Sequence, residues 1–217
     1  MTSKIKVAVV VGRHAYDVQS FQKAFTDNAD FEVYIQCLEL FTCSPKEQRE
    51  SYDAVVFYNC HAETPPPESE WNERTALEQL GDTAQGIMIL HHAFIAYHSW
   101  PLWAEISGLA LTHFSYHQDE EVEYRILKDH AITAKSNAFR MIDETFVMNE
   151  PDEDSEVLVA TNHSPSMRAI LWTRKFRNSR VVCYQSGHGA AAYTDKNFRS
   201  LLRESILWLA EKKEGFD

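Results

Sequence analysis

Short apolar runs alternate with amphipathic stretches through the first 90 residues of the chain. The runs are rich in β-branched and aliphatic residues, which is typical of strands in a parallel sheet. The stretches between them show helical spacing, with Asp17 as an N-cap before the first. The order β-α-β-α-β-α-β predicts a parallel sheet with helices on both faces. The predicted strands are Ile5–Val11, Phe31–Cys37, Ala54–Tyr58 and Gly86–Leu90, and the predicted helices are Val18–Phe25, one starting at Ser44-Pro45, and Trp71–Leu80.

The pattern is less regular after residue 100. Glu121–Leu127 alternates like an edge strand, and residues 131–148 mix turn and strand signals. Beyond an acidic segment at 150–156, the pattern predicts strands at 157–160, 169–173 and 181–185 and a strongly amphipathic helix at Asn197–Lys212. The simplest account is one α/β domain over residues 1–217, a parallel sheet with an antiparallel extension.

Composition excludes several classes of protein. Of 217 residues, 44% are hydrophobic, which is enough for a sizeable core and argues against wholesale disorder. The formal charge of −11 argues against nucleic acid or an anionic membrane as the main partner. The four cysteines form no CxxC pair, and the amino end shows no secretory signal. We therefore expect a cytoplasmic protein with free thiols.

Histidines follow the predicted strands at the edge where an open parallel sheet binds ligands. His14 follows the first strand, His61 the third, His91 and His92 the fourth, and His188 the last. Ligands of such sheets lie beyond the carboxyl ends of the strands. The repeated placement predicts one shared site, although a solvated loop position is the favoured interpretation for His61.

Imidazole and carboxylate groups are the catalytic candidates. His91 and His92 occupy a strand-to-helix turn of the kind that presents a nucleophile, but no Ser or Cys is there, so imidazole is expected to act as acid, base or metal ligand. His188 lies between two glycines, which lets backbone approach a ligand closely. Asp143 and Glu144 are candidates for orienting the imidazoles, with an exposed acidic turn as the equal alternative.

Substrate contacts and a metal site are further expectations. Tyr16, Trp100 and Tyr193 could stack on a sugar ring, with a core position as the alternative, and His14 is a contact candidate or a surface turn residue. Three imidazoles with an open position suit zinc, and the candidate ligands are His14, His92 and His188. The sequence has no HxH or HxxxH spacing around them.

Several segments together resemble one known family. The order and spacing of these motifs resemble the ThuA-like (trehalose utilisation) proteins, over nearly the whole chain. The segments are Gly12–Asp17, Gly86–Ala93 with Trp100-Pro101, Ser107-Gly108 with His113, Asp129–Thr133, Asp143–Phe146, Trp172–Arg174, Ser186–His188 and the helix from Tyr193 to Leu201.

This resemblance implies a flavodoxin-like three-layer α/β/α sandwich, similar in fold to class I glutamine amidotransferases. It also implies a link to trehalose, related disaccharides or keto-sugars. His113 stands at the family spacing and is a substrate-contact candidate, with a structural role as the favoured alternative. Ala131 and Phe146 depart from the proline and tyrosine of the family pattern. His91 stands where an amidotransferase would have its cysteine, which argues against glutamine hydrolysis.

The leading hypothesis is an enzyme, an isomerase, lyase or hydrolase, that acts on a sugar or keto-sugar by histidine acid/base chemistry with the help of a divalent metal such as zinc. A non-catalytic sugar-binding or regulatory module and a metal-dependent hydrolase are the alternatives. The expected partner is a small carbohydrate, and a homodimer is a common state for such proteins.

Overall fold

Strands and helices alternate along the computed structural model, which describes residues 4–211. The strands are Ile5–Gly12 (β1), Phe31–Cys37 (β2), Ala54–Asn59 (β3), Gly86–Leu90 (β4), Ser115–Ile126 (β5), Phe139–Val147 (β6), Glu156–Ala160 (β7), Ala169–Phe176 (β8) and Ser179–Tyr184 (β9). The α-helices are Val18–Thr26 (α1), Leu38–Cys43 (α2), Lys46–Glu50 (α3), Glu73–Glu78 (α4), Pro101–Ser107 (α5), Ala190–Thr194 (α6) and Lys196–Ala210 (α7), and a 3-10 helix spans His91–Ile95.

The strands predicted from apolar runs form a parallel half-sheet in the order β2-β1-β3-β4-β9. Every residue of β3 and β4 is buried, as expected for strands covered on both faces. The carboxyl ends of β1, β3, β4 and β9 therefore lie side by side, which is the arrangement that the histidine argument requires.

The same sheet continues as an antiparallel half in the order β8-β7-β5-β6. Four neighbouring pairs are parallel and four are antiparallel, so the antiparallel part is larger than the extension that the sequence predicts. The register of β5 and β6 shifts between His117 and Glu120, as at a β-bulge. Beyond the shift Glu120 pairs with Asp143. The candidate carboxylates Asp143 and Glu144 therefore lie on β6, in this hairpin.

Helices cover both faces of the sheet, and the three-layer α/β/α sandwich is confirmed. Along β1, Val7 and Val9 pack on one side with α1, α6 and α7, while Ala8 and Val10 pack on the other with α2, α4 and α5. This alternation follows from the period of two in a strand. Alternate residues of one apolar strand therefore belong to the two hydrophobic cores on opposite faces of the sheet.

Local signals predict helix starts better than helix lengths. The Asp17 carboxylate accepts a hydrogen bond from Ser20 N at 2.8 Å, so its predicted role as N-cap of α1 is confirmed. The helix predicted from Trp71 begins only at Glu73, and the short helices α2, α5 and α6 were not predicted. The predicted end of α7 at Lys212 lies outside the described residues. From residue 4 to residue 211, no helix has both the length and the apolar character needed to cross a bilayer.

Candidate active site

Three strand-end turns bring four histidine rings together. The His14 ring, after β1, stacks on His92 with ring centroids 4.0 Å apart and planes at 29°. His188, after β9, lies edge-on to His14 at 5.8 Å and to His91 at 5.3 Å between ring centroids. The predicted convergence of His14, His91, His92 and His188 therefore occurs in the structure.

His91 occupies the sharp turn at the end of β4. Its φ of +50° lies in the left-handed region, which L-residues adopt only where their surroundings hold them. The ring is fully buried, and its Nδ1 lies 2.8 Å from the carbonyl oxygen of Gln185. A carbonyl oxygen only accepts, so Nδ1 carries a proton, and in the neutral ring Nε2 presents a lone pair. Phe146 stacks on the His91 ring, with centroids 4.7 Å apart.

A carboxylate from β6 closes the cluster. Glu144 Oε1 lies 3.5 Å from His91 Nε2, and Oε2 lies 3.4 Å from His188 Nδ1. Burial acts to raise the pKa of Glu144. Interaction with the His91 and His188 imidazoles outweighs burial, and the pKa lies below its usual value. Glu144 is therefore ionised at neutral pH, although only 6% of the side chain is exposed.

Asp143 holds the backbone of the His188 turn. Its two carboxylate oxygens accept hydrogen bonds from Gly187 N at 2.9 Å and His188 N at 3.0 Å. Gly187 adopts a φ of +117°, and a Cβ there would lie 3.0 Å from the Phe198 ring. Burial raises the pKa of Asp143, against the lowering effect of His91 and of these N–H groups. The acidic pair is buried, so the alternative of an exposed acidic turn is wrong.

His92 and His14 form the neutral side of the cluster. His92 Nε2 lies 2.8 Å from the carbonyl oxygen of Tyr58 and so donates to it. Burial, with the charges of His91 and His14, lowers the pKa of His92 to about 2. Burial also lowers the pKa of His14, again with help from His91 and His188. Both rings are therefore uncharged near pH 7.

Of the three side chains His91, Glu144 and His188, that of His188 is the most exposed to solvent. Its side chain is 29% exposed, against 0% for His91 and 6% for Glu144. Its Nε2 lies 3.3 Å from the amide nitrogen of Gln118, which donates and thereby leaves the ring proton on Nδ1. That proton points at the corner formed by His91 and Glu144.

The aromatic substrate candidates do not share one surface. Tyr193 is fully buried, and its hydroxyl donates to the carbonyl oxygen of His188 at 2.9 Å. Trp100 is 7% exposed and packs edge-on against Tyr97 in the other core. Their burial does not fit the predicted stacking on a sugar. Tyr16 is half-buried, so its role as a substrate contact stays a prediction.

Two further histidines lie outside the cluster. His113 is exposed, with its Nδ1 3.3 Å from the hydroxyl of Thr112, and its role stays a prediction. The ring of His61 lies 6.3 Å from Tyr97 and its Nε2 3.7 Å from a Glu39 oxygen. His61 follows β3, but its ring packs near Tyr97 and Glu39 rather than against the four clustered histidine rings.

Sequence reasoning missed four supporting contacts. Gln118 lies in a polar run that carries no distinguishing signal, and Gln185 and Tyr58 contribute backbone oxygens, which no side-chain pattern predicts. The stacking of Phe146 on His91 had one signal, its place in the family motif.

The metal-ligand candidates differ from the predicted set. One donor atom each from His91, Glu144 and His188 lie within 4.8 Å of one another. Of the predicted trio, only His188 belongs to this group. His92 has its Nε2 proton committed to Tyr58, and the His14 ring faces His92 rather than the carboxylate.

A comparison with known protein families shows to which family the chain belongs. The sequence profile of the family described as ThuA, trehalose utilisation, matches residues 6–209. The chain belongs to the ThuA family. ThuA membership gives it a role in carbohydrate metabolism. No curated protein matches the chain significantly in sequence.

Solved structures agree on the fold of this ThuA chain. A ThuA-like protein from Parabacteroides merdae superposes with a TM-score of 0.76 at 18% identity, over 96% of this chain and 90% of the other. One from Bacteroides uniformis gives 0.74 at 17% identity, over 96% and 93%. A protein described as part of a GMP synthase, from Thermoplasma acidophilum, gives 0.64 at 10% identity, over 97% and 96%. The fold is therefore shared by ThuA-like and glutamine amidotransferase-like proteins.

Proposed function

We propose that this ThuA chain is an enzyme that acts on a sugar or keto-sugar and moves protons next to a carbonyl group, as in isomerisation or elimination. The observation that carries the proposal is the position of the buried Glu144 carboxylate, within 3.5 Å of nitrogens on both His91 and His188. A carboxylate that contacts imidazole is the usual arrangement for orienting an acid/base histidine.

The reaction needs one group at the substrate oxygen and one at the adjacent carbon. His188 suits the oxygen, because its side chain is partly exposed and a Glu144 oxygen lies 3.4 Å from its Nδ1. Proton transfer by a positioned side chain contributes about 10²- to 10⁴-fold to a rate. The buried His91 contacts both Glu144 and His188 and so fixes their positions relative to each other.

His14 suits the carbon. Its half-buried ring lies beside His188, and its buried Nδ1 has no hydrogen-bond partner among residues 4–211. The stacked His92 ring fixes its orientation. His92 itself is bound to the Tyr58 carbonyl and acts as a positioning residue.

Thiol chemistry has little support at this centre. Burial raises the pKa of the Cys60 thiol, which follows β3, and so disfavours the nucleophilic thiolate. The turn after β4, where a covalent amidotransferase would place its cysteine, carries His91 instead. The proposal therefore favours proton transfer over glutamine hydrolysis.

The experiment is a panel of trehalose, related disaccharides and their keto derivatives, assayed for product formation with wild type, His188→Gln and His98→Gln. His98 is an exposed histidine that serves as the matched control. We expect His188→Gln to lose turnover of the true substrate while its circular dichroism spectrum is unchanged, and His98→Gln to retain it. Unchanged turnover in His188→Gln contradicts the proposal. Saturable binding without product for any sugar identifies a binding module instead.

A further inference from the structure

We infer that His91, Glu144 and His188 bind a divalent cation of the zinc class, and that this cation takes the oxygen-side role at the centre. The inference rests on the proposed function for that role, but the binding itself follows from the geometry alone.

The three donor groups lie close enough together to share one cation. Zinc binds nitrogen and oxygen at about 2.0 to 2.2 Å, so tetrahedral ligand atoms lie about 3.4 Å apart. His91 Nε2 and His188 Nδ1 are 3.2 Å apart, and the two oxygens of the Glu144 carboxylate face them, Oε1 at 3.5 Å from the first and Oε2 at 3.4 Å from the second. One donor atom from each residue lies within 4.8 Å of the other two, so ligation requires the side chains to draw in toward a common point.

The protonation pattern leaves a corner rich in lone pairs. His91 donates its Nδ1 proton to the Gln185 carbonyl, which is how metal-ligating histidines are usually held, and its Nε2 lone pair faces the corner. Glu144 brings an ionised carboxylate to the same place. Only His188 can supply a proton there, and one proton cannot satisfy both acceptors equally. A cation contacts all three donors at once.

His188 can present a lone pair without moving its backbone. Ligation through Nδ1 puts its proton on Nε2, which faces the side-chain amide of Gln118 at 3.3 Å. An end-for-end turn of that amide offers Oε1 as the acceptor. Asp143 holds the His188 backbone in either case.

Two imidazoles and one carboxylate form a donor set typical of catalytic zinc sites, which keep a position open for water or substrate. A cation there polarises a bound carbonyl or hydroxyl oxygen. His14 is not among the donors and stays available for the proton on carbon. In the proposed reaction, the cation would therefore act at the substrate oxygen in place of His188 alone, and His14 would keep its role at the carbon.

Zinc binding to the purified full chain tests the inference. After treatment with a chelator, Zn²⁺ is titrated by calorimetry into wild type, Glu144→Gln and His98→Gln. We expect one Zn²⁺ per chain for wild type and for His98→Gln, and an affinity at least about 100-fold weaker for Glu144→Gln. Equal affinity for Glu144→Gln and His98→Gln, or no stoichiometric binding to wild type, overturns it.

Cobalt substitution tests the geometry without any variant. We expect Co²⁺ bound to wild type to give the intense visible absorption of a four- or five-coordinate ion. The weak spectrum of six-coordinate Co²⁺ contradicts the assigned site. Full turnover of a keto-sugar by metal-free protein rejects the cation and keeps the proposed function, whereas zinc binding without turnover of any sugar does the reverse.

Discussion

The parallel half of the sheet supplies imidazoles to the candidate centre, whereas the antiparallel half supplies carboxylates. His14, His91 and His188 follow strands that are buried in the sheet. Asp143 and Glu144 lie on β6, in a hairpin whose partner β5 has an exposed polar beginning. The buried parallel half thus presents imidazoles, and the β5–β6 hairpin brings carboxylates to the same edge of the sheet.

The difference shows that the centre depends on docking between the halves. Asp143 makes the contact, because it accepts hydrogen bonds from two backbone N–H groups of the turn after β9, which are 44 and 45 residues away along the chain. Glu144, the next residue on the strand, faces the imidazoles. Adjacent positions on β6 therefore separate a docking role from a chemical role.

The largest expected effect is loss of activity on removing the negative charge from β6. Glu144→Gln keeps the shape but loses the negative charge that lies beside the His91 and His188 nitrogens. We expect kcat/KM for the sugar substrate to fall about 10²- to 10⁴-fold. Measured kinetics that match wild type would show that the antiparallel half contributes no chemistry.

Breaking the docking contact is expected to affect stability next. Asp143→Asn turns an amide group toward one of two N–H donors and leaves that donor unsatisfied. The free energy of unfolding should fall by about 1 to 3 kcal/mol. Urea denaturation measures it, with the exposed Asp154→Asn as the matched control. Equal stability of the two variants would show that the halves dock without Asp143.

A smaller effect is expected at the edge of the hairpin. Gln118→Ala removes one hydrogen bond to His188 Nε2, which is worth about 0.5 to 1.5 kcal/mol. Turnover should therefore fall about two- to tenfold, as measured by kcat at saturating substrate. A loss as large as that of Glu144→Gln would assign Gln118 a direct chemical role.

The smallest effect is expected for an imidazole outside the cluster. His98 is exposed and follows the 3-10 helix rather than a strand end. His98→Gln should leave kcat/KM within about twofold of wild type, as for most surface substitutions. A large loss would mean that the active region extends beyond the strand-end turns.

The parallel half was predictable because burial on both faces makes its strands continuous apolar runs. Val55 and Ile87 illustrate this, since no polar residue interrupts the sequence around them. Once those strands are placed, topology alone puts His14, His91 and His188 at one edge. The N-cap at Asp17 was predictable because it depends only on a neighbouring residue, Ser20, from whose backbone N–H it accepts a hydrogen bond.

The carboxylate side was only partly predictable. Residues 115–120 begin β5, yet they are polar and mostly exposed, so they carry no hydrophobic alternation. The choice of His91 and Glu144 over His14 and His92 as partners of His188 depends on contacts between distant segments. Sequence spacing cannot show that the Gln185 carbonyl takes the His91 proton, nor that Tyr58 takes that of His92.

The most direct test of the account is a double-mutant cycle on turnover with Glu144→Gln and His188→Gln. If carboxylate and imidazole act as one unit, the double variant should lose about as much kcat as the more damaging single variant. If the two losses multiply instead, the residues act independently, and a shared centre built by both halves of the sheet is contradicted.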